Sequence, residues 1–482
     1  MKLPNDSVNR ILSAFNSVEL GDPRRAERLD NTLRRLAESP RSTIPDAMGT
    51  EAELEGAYRF FRSPHVTLEA LTLAHAEATA ARARKAGRVL AIHDTTTCEF
   101  AHAEPAEVGY LSTGKAGFMA HYALIVADDE SRRPLGVANT EVIFRDRPPA
   151  RPSKNGRKLR NKSGVESSKD PNRESLRWSR GFTQTSQRLE GCTVIHVADR
   201  EGDAYELLGT AIEQGLRLVI RCRVPDRRAT SKSGEKSTVQ AIAEASEGLF
   251  TRNVELSTRA ARSEPRARKN HPPRLGRTAK LSFSATTVEI MRPRYLDSLP
   301  ETLSLNMVRV WEQNPPAAEQ PIEWLLFTTE PVSTQAEVEA VVDIYRARWL
   351  IEECNKAIKT GCRYEERQFE GRQALLNLFA LTLPIACELL WLRSCCRSRP
   401  SMPARDVLTP TQLQILRSLG SYKLSANPTA HDALWAVAAL GGHIRSNGEP
   451  GWLVLHRGLA KLLAYEEGWL ARENAPGLSI SR

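Results

Sequence analysis

The segment Tyr345-Arg-Ala-Arg348-Trp-Leu-Ile-Glu352-Glu-Cys-Asn-Lys356-Ala-Ile-Lys359-Thr-Gly361 sets one carboxylate among cations and a phenol at helical spacing. On a helix turning about 100° per residue, Tyr345, Arg348, Glu352, Lys356 and Lys359 fall within an arc of about 80°. Leu350, Ile351, Cys354, Ala357 and Ile358 lie opposite and would face a core. A solvated face laced with i, i+4 ion pairs accounts for Glu352 beside Arg348 or Lys356. It leaves Tyr345 and Lys359 unexplained, whereas a phosphate-gripping face beside a metal-binding carboxylate accounts for all five.

Two more carboxylates stand where chemistry gathers. Asp94 closes the apolar run Val89-Leu-Ala-Ile-His-Asp94, and Asp199 follows the run Thr193–Ala198. Each reads as the last residue of a strand, and ligands of α/β sheets collect at the carboxyl ends of strands. Taken alone, either aspartate could simply cap the next turn. With Glu352 they could hold two divalent cations, since Mg²⁺ takes one or two carboxylates and completes its shell with substrate phosphate. Two ions about 3.5–4 Å apart suit in-line phosphoryl transfer. The acidic neighbours Glu201, Asp203, Glu206 and Glu353 are assigned capping and surface roles.

The elements that would position these groups are legible from pattern. Asp22 can cap a helix that Pro23 opens, with Arg24, Arg28 and Arg35 on one face and Leu29, Leu33 and Leu36 on the other. Thr67–Gly87 reads as a helix leading into the Val89–Asp94 strand, followed by strands at Met119–Ala127 and Leu135–Phe144. A helix over Glu174–Leu189 precedes Thr193–Ala198, and a helix at Ala204–Gln214 and a strand at Leu216–Arg221 follow. Strands alternating with helices argue for an α/β core. From about Arg223 to Pro331 the pattern is strand-like and irregular, the mark of a β-rich insertion. Two helical segments, Ser333–Tyr345 and onward to Gly361, follow, and the chain from about Ala374 is mostly helical. Basic stretches at Arg147–Arg173 and Arg259–Lys280 could lie along phosphates or stay solvated.

Composition limits the classes open to the chain. Its 482 residues leave room for two or three domains, and a 41% hydrophobic share is that of a globular protein. A net charge of +10 points to a polyanionic partner without choosing among DNA, RNA and an acidic membrane. No signal peptide is expected in Met1–Leu20, and no membrane span, because Leu376–Leu392 is broken by Asn377, Pro384 and Glu388 and reads as a buried helix. The eight cysteines form no C-x-x-C pair, which argues for reduced thiols in a cytoplasmic protein.

Tyr345, Arg348, Glu352 and Lys359 match the Y-x2-R-x3-E-x6-K motif of a subgroup of the DDE transposases of bacterial insertion sequences, which includes the transposase of the Tn-five transposon. Ile92-His-Asp94-Thr-Thr and Asp199-Arg-Glu-Gly-Asp203 resemble the blocks around that family's two catalytic aspartates. Leu20-Gly-Asp-Pro-Arg-Arg25 and Glu55-Gly-Ala-Tyr-Arg-Phe60 resemble its end-recognition region, and Leu440-Gly-Gly442 and Gly451-Trp452 its C-terminal part.

The resemblance implies an α/β, RNase H-like catalytic core with a β-rich insertion, flanked by helical N- and C-terminal domains. It divides the chain into end recognition (1–66), catalysis (67–373, insertion at about 223–331) and dimerisation (374–482). It implies Asp94, Asp199 and Glu352 as catalytic ligands of Mg²⁺, two ions per site, with Mn²⁺ able to substitute. Tyr345, Arg348, Lys356 and Lys359 would grip phosphates, Trp324 would stack on a flipped base, and Arg221, Arg24, Arg25 and Arg28 would contact DNA. The partners implied are transposon-end and target double-stranded DNA and a second copy of the chain, in the cytoplasm at the nucleoid and with no membrane. The implied reaction is cleavage through a hairpin and joining to target DNA. A non-cleaving end-binding protein and a general RNase H-like nuclease are the alternatives.

Overall fold

In the computed structural model, the described residues are 5–148, 170, 173–256, 273–296, 298–317, 319, 321–369, 371–398 and 401–473. Most of the Arg147–Arg173 stretch and of Arg259–Lys280 lies outside them.

Four helices come first: α1 (Asn5–Ser13), α2 (Pro23–Glu38), the single turn α3 (Ile44–Ala47) and α4 (Glu51–Arg62). The Asp22 side chain accepts from the Arg24 amide and Pro23 fills the first turn, so α2 starts where the sequence places it. Its Leu29, Leu33 and Leu36 are buried, while Arg24 is exposed. Helix α5 (Leu68–Ala86), capped by Thr67 and closed by Gly87 at φ 73°, delivers the chain into strand β1 (Arg88–Glu99). Strands β2 (Gly117–Ala127) and β3 (Pro134–Ile143) extend the sheet antiparallel, with the short helix α6 (Pro105–Val108) between β1 and β2. After α7 (Arg177–Arg188), strand β4 (Thr193–Ala198) pairs parallel to β1 on its other side. Helix α8 (Tyr205–Glu213) then leads to β5 (Arg217–Arg221), parallel to β4.

Three antiparallel strands followed by two parallel ones, in the order β3-β2-β1-β4-β5, make the α/β core RNase H-like. Side chains alternate across it. Leu90 and Ile92 of β1 join the largest apolar cluster, whereas Val89 and Ala91 pack with Ala80 and Ala83 of α5.

The insertion continues this sheet. It contributes β6 (Arg228–Ser231), β7 (Lys236–Thr238), α9 (Val239–Ala245), β8 (Phe250–Leu256), β9 (Arg277–Met291), β10 (Thr302–Glu312) and β11 (Glu323–Thr328). Strand β11 pairs antiparallel with β5, giving eleven strands in one sheet among the described residues. The pattern read as irregular belongs to long regular strands, 15 residues in β9 and 11 in β10. Their inward positions include Ser282 and Ser284, which break the apolar alternation.

Two further expectations are corrected. Asp94 does not end β1: parallel pairing stops at Ile92↔Val197, but antiparallel pairing with β2 continues to Glu99. The Tyr345–Gly361 stripe is not one helix. Helix α10 (Gln335–Ala347) is followed by a tighter turn at Arg348, then α11 (Trp349–Lys356) and a π-helical turn over Ala357–Gly361.

Helix α12 (Arg372–Ser398) is apolar enough to cross a membrane by length and composition, yet 83% of its most apolar window is buried in the protein. It binds the N-terminal helices through polar groups: Asn377 Nδ2 donates to the Phe61 and Val66 carbonyls at 3.0 and 2.9 Å. Helices α13 (Pro410–Leu419), α14 (Ala430–Leu440) and α15 (Trp452–Glu473) complete the chain.

Gly441 and Gly458 let α14 and α15 meet backbone to backbone. A Cβ at Gly458 would stand 1.6 Å from the Val437 carbonyl oxygen, and one at Gly441 would stand 1.9 Å from that of Val454. Gly458→Ala should therefore cost about 3 kcal/mol of overpacking and lower the melting temperature by several degrees. An unchanged thermal melt would contradict this crossing.

Candidate active site

Parallel pairing fixes the two aspartates. The last β1–β4 pair is Ile92↔Val197, and Asp94 and Asp199 each lie two residues beyond it. They therefore stand at the same level at the carboxyl end of the paired strands. The Asp94 carboxylate is ordered by the chain around it: Oδ1 accepts from the Thr95 amide at 2.8 Å and Oδ2 from Asn355 Nδ2 at 3.0 Å. Asp199 Oδ1 accepts from the Glu201 amide at 2.8 Å and caps a short 3-10 turn.

Glu352 reaches this end from α11. Its Oε1 accepts from the Arg348 guanidinium at 2.6 Å. Arg348 is drawn down by burial, but Tyr345, Glu352 and Asp199 outweigh that and raise its pKa. Burial pushes the Asp94 carboxyl up to about 7; the Thr95 amide and Arg348 oppose this, and Asp199 and Glu352 add to it. Asp94 thus feels both Asp199 and Glu352 across the gap between β1, β4 and α11.

Four of the other sequence-derived candidates form one chain of contacts beside Glu352. The Arg221 guanidinium lies 5.8 Å from the Trp324 ring, Trp324 meets Tyr345 edge-on at 5.2 Å, and Arg348 lies 5.9 Å from the Tyr345 ring. Tyr345 is buried, not on an open stripe. Trp324 is half-buried against the main apolar cluster. Burial lowers the Arg221 pKa, and its side chain donates to the Glu323 carbonyl. Lys356 bonds Glu353 at 2.7 Å and lies over Trp349, while Lys359 reaches the Thr97 carbonyl and Glu365. Arg24, Arg25 and Arg28 belong to α2 in the N-terminal helical cluster and to none of these contacts; Arg25 holds the Leu20 carbonyl at 2.6 Å.

Some acidic neighbours are not surface groups. Asp203 is buried, bonded to the Arg223 and Val224 amides and ion-paired with Arg227 at 2.8 Å. Glu353 is buried as well. It accepts from Trp452 Nε1 of α15 at 2.9 Å and pairs with Arg393 of α12, so the residue after Glu352 anchors its helix to the C-terminal helices. Glu201 is exposed and pairs with Arg177, while Glu206 is half-buried and pairs with Arg173.

Behind the aspartates lies a polar core that periodicity did not mark. His93 Nε2 and His196 Nδ1 are 2.9 Å apart, Ser186 bonds His196 Nε2 at 2.7 Å, and His121 Nδ1 meets Thr95 Oγ1 at 3.0 Å. Gly181 of α7 makes room, since a Cβ there would approach His121 Nε2 to 2.9 Å. Arg177 donates to Thr95 Oγ1 at 2.8 Å.

The donor set suits a hard divalent cation: Asp199 and Glu352 lie within electrostatic reach of Asp94, whose carboxyl is raised to about 7 by burial first and by those two acids next. Among the described residues no three His, Cys, Asp or Glu side chains already enclose a metal-sized space. Glu352 is turned to Arg348 and Asp199 to its own turn, so closure around a cation requires those side chains to reorient. A site that takes part of its shell from substrate phosphate needs no such cage in advance.

Residues 11–66 match the family model described as Transposase DNA-binding, and residues 179–385 match the one described as Transposase DDE domain. The chain carries transposase domains. The DDE match contains Asp199 and Glu352; Asp94 lies upstream of it and joins them through the β1–β4 register. Among solved structures, the transposase chain is similar to one described as the cryo-EM structure of piggyBac transposase synaptic complex with hairpin DNA. Sequence identity is 11% and the TM-score 0.29, over 82% of this chain and 55% of that one. This chain thus spans about half the length of that protein.

Two outcomes follow from the site's surroundings. Glu353→Ala removes the carboxylate that pairs with the buried Arg393 and should cost about 3–5 kcal/mol in urea melts, against about 1 kcal/mol for Trp452→Phe. Equal stability of Glu353→Ala and the parent would detach the C-terminal helices from α11. Burial holds His75, His121 and His196 at about 3, against an ordinary 6.5. The unfolded chain takes up protons below pH 6.5 that the folded chain refuses until about pH 3. Stability is therefore full above 6.5 and falls as pH drops, by on the order of 1–2 kcal/mol per histidine at pH 5. Urea midpoints at pH 7.5 and 5 check this, and a midpoint that rises on acidification would overturn it.

Proposed function

We propose that this chain is a cut-and-paste DNA transposase of the Y-x2-R-x3-E-x6-K subgroup, with Asp94, Asp199 and Glu352 as its catalytic carboxylates. The observation that carries the reading is the shared level of Asp94 and Asp199 beyond Ile92↔Val197, with Glu352 within electrostatic reach from α11. The Transposase DDE match over two of the three supports it.

Asp94, Asp199 and Glu352 would hold divalent cations, Mg²⁺ or Mn²⁺ and two per site. Such ions supply charge neutralisation at a phosphoryl group and a lowered pKa for an attacking water or 3′-hydroxyl. The chain's own residues do the rest. Thr95 and Asn355 fix the Asp94 carboxylate, and Arg348, Lys356 and Lys359 bring positive charge to the face where phosphates would lie. Tyr345 supports Arg348 from beneath, and Trp324 with Arg221 offers an aromatic and cationic edge for a displaced base at a hairpin end. Arg24, Arg25 and Arg28 would contact end DNA, for which the Transposase DNA-binding match is the support. We take 1–66 as the end-recognition domain, 67–373 as the catalytic domain and 374–482 as the dimerisation domain of a synaptic homodimer.

The test is incubation with Mg²⁺ and DNA carrying the inverted repeats that flank the gene, beside Glu352→Gln. Defined cuts and hairpins at the repeat ends are expected. The variant should lose on the order of a thousandfold in cleavage rate, the equivalent of several kcal/mol, and keep its end affinity. Equal cleavage by the variant removes Glu352 from the triad. End binding without cutting would make the chain an end-binding protein, and digestion of arbitrary DNA would make it a general nuclease.

A further inference from the structure

Asp94 of β1 and Tyr122 of β2 are direct cross-strand partners, so both side chains leave the same face of the sheet, the face that α11 covers. Asn355 stands on α11 one turn beyond Glu352 and bonds both. Its Nδ2 donates to Asp94 Oδ2 at 3.0 Å, and its Oδ1 accepts from the Tyr122 hydroxyl at 2.7 Å. We infer that Asn355, oriented by Tyr122, is a positioning residue that aims the Asp94 carboxylate at a divalent cation and sets the spacing between Asp94 and Glu352.

The chemistry allows one orientation of the amide. An ionised Asp94, the form that binds a cation, only accepts, so the NH₂ group faces Asp94 and the carbonyl faces the phenol. Tyr122 is fully buried and its pKa lies well above the ordinary value, first through burial, so the hydroxyl keeps the proton it donates. With Thr95 on Oδ1 and Asn355 on Oδ2, each Asp94 oxygen is held by one neutral donor and retains a lone pair for a cation. Neutrality matters here. A lysine or arginine at position 355 would orient Asp94 equally well but would cancel the charge that a cation needs. The amide orients without neutralising. It also ties α11 to β1 three residues from Glu352, so the two carboxylates cannot drift apart without breaking it.

This inference rests on the carboxylate triad proposed above, and direct metal binding separates the two. Mn²⁺ binding to the full-length protein is measured by titration calorimetry for the parent, Glu352→Gln, Asn355→Ala and Tyr122→Phe, with thermal melts and end-DNA affinity alongside. Asn355→Ala should weaken Mn²⁺ binding about tenfold or more, the usual size of an effect on a ligand's supporting hydrogen bond. It should raise the Mg²⁺ needed for half-maximal cleavage by a similar factor and leave end affinity unchanged. Tyr122→Phe should move both in the same direction by a smaller factor. If the parent shows no Mn²⁺ site sensitive to Glu352→Gln, the triad itself fails and this inference falls with it. If that site exists and a folded Asn355→Ala binds Mn²⁺ like the parent, the positioning role alone is overturned. Should Asn355→Ala melt early, Tyr122→Phe decides in the same way, an unchanged isotherm overturning the role.

Discussion

Two parallel strands that stop pairing at the same level do more to organise this molecule than any single side chain. Once β1 and β4 pair in register as far as Ile92↔Val197, Asp94 and Asp199 must emerge side by side where the sheet splays. Backbone hydrogen bonds set that level, and slippage of either strand by one residue would turn its own carboxylate to the opposite face. β1 continues to Glu99 against β2 alone, which keeps Asp94 inside a strand. Its geometry is therefore that of a pleated ladder and not of a loop end, a firmer support for a group that must be aimed.

A helix has to bring the third carboxylate to that level, and α11 is pinned from three directions to do so. Glu353 reaches α12 and α15, Asn355 reaches β1 and β2, and the π-helical turn after Lys356 swings Lys359 back to the Thr97 carbonyl. Glu352 and Arg348 along this stretch are bonded to each other. The kink at Arg348 and the π turn both depart from regular helix, at either end of the segment that carries Glu352. Such departures re-aim side chains where a straight helix cannot.

Much of this was legible before the fold was known. The start of α2 follows from Asp22 and Pro23, whose capping chemistry is local, and the helix read over Thr67–Gly87 is α5. Thr193–Ala198 was a strand by its apolar run alone. What escaped was non-local. Periodicity on an ideal helix puts Tyr345 on an open stripe, whereas it is buried beside Trp324 and Arg221, which come from distant strands. Asn355 fell about 20° outside the stripe and so went unread, although its place three residues after Glu352 was a usable signal. Glu353 looked like a surface acid since its partners, Arg393 and Trp452, lie 40 and 99 residues further on. The histidine core was invisible because a histidine within an apolar strand carries no spacing signal of its own.

Charge is the last constraint, and it ties these parts together. Around Asp94 stand two carboxylates and one guanidinium, with an uncharged amide and a backbone N–H as its direct partners. That set does not balance. A protein built only for stability would have closed the gap with a second arginine, as it does at Asp203 with Arg227 and at Glu353 with Arg393. Here the lysines turn elsewhere, Lys356 to Glu353 and Lys359 to Glu365. The deficit shows as an aspartate whose burial and acidic neighbours hold it at about 7. A divalent cation bound between the carboxylates would remove that deficit, and phosphates drawn to Arg348 and the nearby lysines would complete its shell.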